Sequence, residues 1–230
     1  MSKIDKENPD VWFTDNFHQS KIGKVNYRHL NWGPFVLGMK MPDYIVKKLL
    51  IEGKKTKHNY NHKLAGHLNN QFLYPTKVQK WFYDEIQPII QTYRNGHCKY
   101  HGIKEFDVEL RAESLWVNFM KPGDFNPKHT HGGDYSFVLF LDVPKQLKKE
   151  QEEFEGTSAK PGSLLFEYTQ QARPQWASTG HQVEPETGDF YMFPALLQHW
   201  VAPFKSKITR VSVSGNLTTL NKDKLPENYF

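Results

Sequence analysis

Two histidines at spacing two, His129 and His131, stand in the stretch WVNFMKPGDFNPKHTHGGDYSFVLFLDVP, Trp116 to Pro144. In extended backbone, residues two apart project to the same side, roughly 6–7 Å apart along the chain. Bent at a strand end, such a pair can converge on one ion. A further ligand must come from elsewhere, and the candidate is His199 in YMFPALLQHWVAP, which follows one apolar run and opens the next. A single histidine is usually structural or solvated. A pair beside Gly132-Gly133 with a third before a strand is a more specific pattern, and imidazole donors that leave open positions suit a non-haem metal such as iron.

The second chemical feature is ITRVSVSGN, which sets Arg210, Ser212 and Ser214 on one face of a strand and Val211 and Val213 on the other. If the polar face points inward, Arg210 becomes a buried guanidinium, which is costly without a partner. A bound carboxylate is the natural bidentate partner. If the face points outward, Arg210 is simply solvated.

These residues need a scaffold. From Phe106 onward the pattern reads as short strands at 106–111, 114–120, 136–143, 162–168, 188–193 and 208–216, separated by Pro and Gly breakers. That spacing predicts a β-sandwich or barrel. Upstream, residues 1–30 read as an irregular arm or a set of loops with room for a short strand, and 35–39 as a first strand. A helix is expected from Pro42-Asp43 to Gly53, with Asp43 at its capping end. Val78, Phe82, Ile86, Ile89 and Tyr93 form one helical stripe over 76–94, with a kink or an early break expected at Pro88 and an end at Gly96. Thr76 is placed to cap it. The charged run 145–155 reads as a solvated excursion, and 169–187, with Trp176 and His181, as a long loop. His58, His62 and His67 lie in a Lys/Asn-rich stretch without a third ligand at fixed spacing, which favours a linker over a metal site.

Composition bounds the function. With 230 residues the chain supports one well-buried core, read as a single domain with residues 1–105 as N-terminal helical support and 106–220 as the β core. One cysteine, Cys98, excludes an intrachain disulfide and a Cys-rich metal site. The N-terminus lacks a signal-type apolar stretch, and no run is long enough to span a membrane, so a cytoplasmic, membrane-free protein is expected. A net charge of +5 without a dense basic block argues against a nucleic-acid partner.

With these residues in place, the chain resembles the 2-oxoglutarate/Fe(II)-dependent dioxygenases, and most of all their small bacterial and phage members with an His-x-His element. The stretches that carry the likeness are W-V-N at 116–118, P-G at 122–123, H-T-H at 129–131, S-F-V at 136–138, G-D-F-Y-M-F-P at 188–194, His199 and R-V-S-V-S at 210–214. The resemblance implies a mainly β, double-stranded β-helix (jelly-roll, cupin-like) fold with supporting N-terminal helices. It implies Fe(II), 2-oxoglutarate as co-substrate and O2, and hydroxylation of a protein side chain, amino acid or small metabolite. His129 and His199 take the places of family metal ligands, and Arg210 with Ser212 that of the clamp on the distal 2-oxoglutarate carboxylate. Asn118 and Tyr191 are expected to contact the co-substrate or orient a ligand. The chain departs from the family where an acid is usual and His131 stands instead. Either three histidines hold the metal, or Asp134 swings back through Gly132-Gly133 in place of His131. A histidine there also argues against the halogenating subclass. Rival readings are a cupin-like metal enzyme without 2-oxoglutarate, a zinc hydrolase, a nucleic-acid demethylase and a non-catalytic jelly-roll binding protein. Oligomeric state has no signature in the sequence.

Overall fold

Alternation along the strands decides the layering. The computed structural model describes residues 13–17, 22–31, 34–101, 109–168 and 180–220. Twelve strands appear: β1 Phe13–Phe17, β2 Gly23–Asn31, β3 Phe35–Lys40, β4 Gln71–Leu73, β5 Glu109–Met120, β6 Asn126–His129, β7 Tyr135–Asp142, β8 Leu164–Glu167, β9 Gly180–Val183, β10 Asp189–Pro194, β11 Gln198–Val201 and β12 Arg210–Leu220. Four helices join them: α1 Asp43–Lys55, α2 Thr76–Glu85, α3 Gln87–His101 and α4 Lys145–Glu152. The strands form an eight-stranded sheet, ordered β1-β2-β3-β10-β7-β12-β5-β4, and a four-stranded sheet, ordered β6-β11-β8-β9. The pairings are antiparallel. From β5 onward the chain passes back and forth between the two sheets, so each sheet is built from strands distant in sequence.

The large sheet is buried on both faces, which is why β7 reads as a continuous apolar run. Phe137, Leu139 and Leu141 of β7, Phe190 and Met192 of β10, and Val211 and Val213 of β12 join Ile45, Leu49, Phe82, Ile86, Ile89 and Tyr93 from the helices in one core. The alternate residues Val138, Phe140, Tyr191 and Phe193 join Leu164, Phe166, Val183 and Val201 of the small sheet in a second. Arg210, Ser212 and Ser214 sit out of phase with Val211 and Val213, so the polar row lies on the inter-sheet side. Gly215 marks the tightest approach to the helical layer: a Cβ there would lie 2.5 Å from Phe137 and 2.6 Å from the Tyr83 hydroxyl.

Several expectations shift. Residues 13–17 and 23–31 are strands of the large sheet, not an irregular arm. In β2 the signal is a short alternation, with Val25 and Tyr27 buried and Lys24 and Asn26 exposed. The N-terminal part therefore adds four strands as well as three helices. The 76–94 helix is two helices, broken at Ile86 with Pro88 in the first turn of α3, where proline is tolerated. Gly96 does not end α3, which continues to His101 with Gly96 buried. Pro42 and Pro75 are the N-cap residues of α1 and α2, without side-chain caps, so Asp43 and Thr76 are first helical residues rather than caps. Residues 106–108 and 169–179, with Trp176, lie outside the described residues, whereas His181 is on β9.

The charged run after Pro144 is a docked helix. On α4, Leu147 and Gln151 are buried one turn apart, and the Gln151 side chain donates to the Pro161 carbonyl at 2.8 Å. One apolar residue in a run of Lys, Glu and Gln gives too little periodicity to announce a helix. Leu147→Ala is expected to lower stability by about 2–5 kcal/mol, as for a buried leucine. A solvated segment would change within about 0.5 kcal/mol. Denaturant midpoints of the two proteins separate these outcomes.

Candidate metal centre and its cavity

β6 and β11 pair so that His129 lies directly opposite His199. Opposed residues on one sheet face bring their side chains together, and the two ring centroids are 4.3 Å apart. His131 lies two residues beyond the end of β6. Its N–H donates to the Ala195 carbonyl at 2.9 Å, and the Ala195 N–H donates to the Asp134 carbonyl at 2.9 Å. The His-x-His hinge is thereby laced onto the corner that leads into β11. Gly133 turns the chain with φ +83°, and a Cβ there would lie 2.8 Å from the Leu217 carbonyl oxygen, so glycine is required.

The three histidines each present a ring nitrogen, and these nitrogens lie within 4.8 Å of one another. His129 Nδ1 is 2.7 Å from the Pro127 carbonyl and His199 Nδ1 is 2.8 Å from the Leu197 carbonyl. A carbonyl only accepts, so both Nδ1 atoms carry the proton and both Nε2 atoms offer lone pairs. Hydrogen bonding of this kind fixes the tautomer and ring plane of metal-binding imidazoles. His131 Nε2 and His199 Nε2 are 3.1 Å apart. Two nitrogens each about 2.1 Å from one ion, at right angles, would sit about 3.0 Å apart. The donor set thus fits a divalent transition metal.

Asp134 is placed differently. Its Oδ2 accepts from the Thr219 N–H at 2.6 Å, bracing the far end of β12, and it is not part of the histidine group. The left-handed turn at Gly133 carries it onto β12 rather than back toward His129.

Burial acts on all three imidazoles in one direction. Desolvation lowers His199 to about 3, with repulsion from His129 and His131 adding to it. Desolvation, with His129 next, lowers His131 to about 4, and His129 is lowered by burial as well. The neutral, metal-competent form therefore prevails at neutral pH.

The cluster opens into a cavity of about 250 Å³ between the sheets, which Arg210, Ser212, Ser214 and Asn118 also line. Arg210 is 3% exposed. Its Nη1 donates to the Gly162 carbonyl at 2.5 Å, and its charge lies 5.2 Å from the centre of the Phe140 ring. Nε has no hydrogen-bond partner, and no carboxylate pairs the group among the described residues. Burial lowers its pKa to about 10, which leaves it charged at neutral pH. Asn118 stands opposite Ser212 in register, with its Nδ2 3.4 Å from the Ser212 hydroxyl and 3.5 Å from that of Ser214.

Tyr191 does not line the cavity. It belongs to the inter-sheet apolar cluster, against Phe166. Sequence reasoning missed Gln71, Trp116 and Asn126. Gln71, on β4, donates to Asn118 Oδ1 at 2.8 Å. Trp116 places its ring 5.8 Å from that of His131. The side-chain oxygens of Gln71, Asn126 and Asn216 are buried at the cavity wall without a partner. Gln71 lies in a three-residue strand too short to show a pattern, and only the W-V-N stretch marked Trp116.

Residues 114–216 match a family model described as "Putative 2OG-Fe(II) oxygenase". That stretch is a little under half of the chain and holds the three histidines, Arg210 and Ser212. The fold of the chain is shared with solved oxygenases at low identity. The viral collagen prolyl hydroxylase of Paramecium bursaria Chlorella virus-1, in complex with 2-oxoglutarate, is 14% identical with a TM-score of 0.50, over 80% of this chain and 96% of that one. HygX of Streptomyces hygroscopicus, with nickel and 2-oxoglutarate bound, is 10% identical with a TM-score of 0.53, over 83% and 85% of the two chains. The non-haem α-ketoglutarate-dependent epimerase SnoN from nogalamycin biosynthesis is 14% identical with a TM-score of 0.50, over 80% and 78%. No curated protein sequence matches significantly. Among the described residues, no helix is long and apolar enough to cross a membrane.

The lowered histidines have a consequence for stability. Their folded pKa values lie below the ordinary 6.5, so the unfolded chain takes up protons first as pH falls. Their contribution is fully present above about 6.5 and is lost as pH drops toward about 4. The denaturant midpoint of the metal-free protein is therefore expected to fall across that window, and less steeply in His199→Gln.

Proposed function

We propose that this protein is an Fe(II)- and 2-oxoglutarate-dependent dioxygenase that couples oxidative decarboxylation of 2-oxoglutarate to hydroxylation of a second substrate, a small molecule or a protein side chain. Its working core is a double-stranded β-helix formed by β5–β12, the part of the chain assigned to 106–220, with residues 1–105 as support. The observation that carries this reading is Arg210. A guanidinium 3% exposed, without a carboxylate partner, lines the same cavity as three converging imidazoles. Burial of an unpaired charge is costly, and a dicarboxylate that reaches from the metal to Arg210 relieves it.

His129, His131 and His199 hold the metal, with His131 rather than Asp134 as the third ligand, because the Asp134 carboxylate is engaged at Thr219. The Pro127 and Leu197 carbonyls keep the His129 and His199 lone pairs aimed at the metal. Arg210 clamps the distal carboxylate through its unused N–H groups, and the Ser212 hydroxyl donates beside it. Asn118, fixed by Gln71, orients that hydroxyl. Ferrous iron, when bound, supplies the place where dioxygen and the 2-keto acid react, giving succinate and CO2 with the oxidising equivalent passed to the second substrate. The apolar residues between the sheets, Val138, Phe140 and Phe193 among them, keep water from the reacting centre.

Anaerobic titration of the Fe(II)-loaded oxygenase with 2-oxoglutarate is expected to raise a visible metal-to-ligand charge-transfer band. Arg210→Met should weaken 2-oxoglutarate binding by about 10–100-fold, the worth of a charged hydrogen bond of about 1.5–3 kcal/mol, while iron binding persists. Iron uptake without the band, or a midpoint indifferent to Arg210, would overturn the assignment.

A second comparison addresses the ligand set. His131→Ala should lower iron affinity by more than about 100-fold, beyond the range of losing a supporting partner. Asp134→Ala should keep iron and instead loosen the end of β12. The reverse pattern by metal analysis of the purified variants would make Asp134 the ligand.

A further inference from the structure

The cavity has an unusual charge balance. Among the described residues that line it there is no Asp or Glu, whereas Arg210 and Lys63 both do. The wall that carries Lys63 belongs to a segment without an acidic residue between Glu52 and Asp84. Lys63 is exposed, at the end of the short 3-10 turn Asn61–Lys63, and no ion pair engages it among the described residues. Its N–H donates to the Tyr60 carbonyl at 3.0 Å, which sets the lysine beside that tyrosine. Tyr60 lies 6.2 Å from Trp116, and Trp116 lies 5.8 Å from His131, ring centre to ring centre. An aromatic wall thus leads from a lysine at the rim to the histidine cluster.

The charge count rests on the function proposed above. A divalent ion and a 2-oxoglutarate dianion cancel, and three imidazole ligands add nothing. Arg210 and Lys63 then leave a surplus of positive charge, where a carboxylate ligand would have reduced it. An ammonium group entering this cavity would meet two cations and no acid. The unpartnered oxygens of Gln71 and Asn126 are neutral dipoles that suit an N–H or O–H donor but do not offset two full charges.

We propose that the second substrate is an anion: a carboxylate- or phosphate-bearing molecule whose charged group meets Lys63 at the rim and whose apolar or aromatic body lies along Tyr60 and Trp116 toward His131. Free amines and substrates that present an ammonium to the cavity are disfavoured.

The test uses the full chain loaded with redox-inert Ni(II) and saturated with 2-oxoglutarate, so that Arg210 is occupied. Indole-3-acetate, phenyl phosphate and tryptamine are titrated by calorimetry. At least one of the two acids should bind at least about tenfold more tightly than the amine, the scale on which complementary charge discriminates between partners, and the comparison of the two acids tells carboxylate from phosphate. Lys63→Glu, an exposed substitution, should erase that preference, and Lys63→Gln should reduce it. Binding of the amine as tightly as the acids, binding of none of the three, or a preference unaffected by Lys63→Glu would overturn the proposal. Failure of the loaded protein to take up 2-oxoglutarate at all would instead remove the dioxygenase reading beneath it.

Discussion

The pairing of His129 with His199 across β6 and β11 is the constraint on which the site depends. Register in a sheet is binary with respect to face: a slip of one residue would send an imidazole to the opposite side. Here register is held by more than the two short strands. Phe166 of β8 stands opposite His199 from the other flank, and the Ala195 backbone bonds both His131 and Asp134. The small sheet therefore serves the histidine cluster as a jig, and the large sheet, with β12 between β5 and β7, supplies the polar floor.

That floor explains an apparent contradiction in the core. Protein interiors disfavour uncompensated polar groups, yet Gln71, Asn118, Ser212 and Arg210 are all buried between apolar neighbours. Three of them bond in a row across β4, β5 and β12, which limits the cost. Arg210 is left with one carbonyl and the edge of an aromatic face. The asymmetry within one strand, satisfied serines beside an unsatisfied guanidinium, separates residues that hold the wall together from the one poised for a ligand.

Much of this was legible in the sequence, for identifiable reasons. His129, His131 and His199 announced themselves by their spacing beside the apolar runs of β7 and β10, and Arg210 by its alternation with Val211 and Val213. Asp134 was legible as a residue type but not as a role: its direction depends on the φ of Gly133, which spacing cannot reveal. Tyr191 was placed on the correct strand, yet its position in the inter-sheet apolar cluster, off the cavity lining, depends on neighbours from the small sheet. Gln71 comes from a three-residue strand, and β9 has only four residues, so no periodicity could mark them. α4 was hidden because a single buried leucine anchors an otherwise charged helix, while β2 carried only a brief alternation within a polar arm.

α4 has a further meaning. Its Gln151 grips the Pro161 carbonyl, and the next carbonyl along, that of Gly162, is the acceptor for Arg210. Gly162 itself adopts a φ of +67° and packs its α-carbon against Leu147 of the same helix. The guanidinium is thus seated from outside the sandwich, by a surface element whose composition resembles a dispensable insertion. Wear at that surface would be felt inside as a guanidinium no longer held in place, with the three histidines untouched. A cavity built this way can have the set of its buried cation retuned from the periphery without any change to the residues that line it.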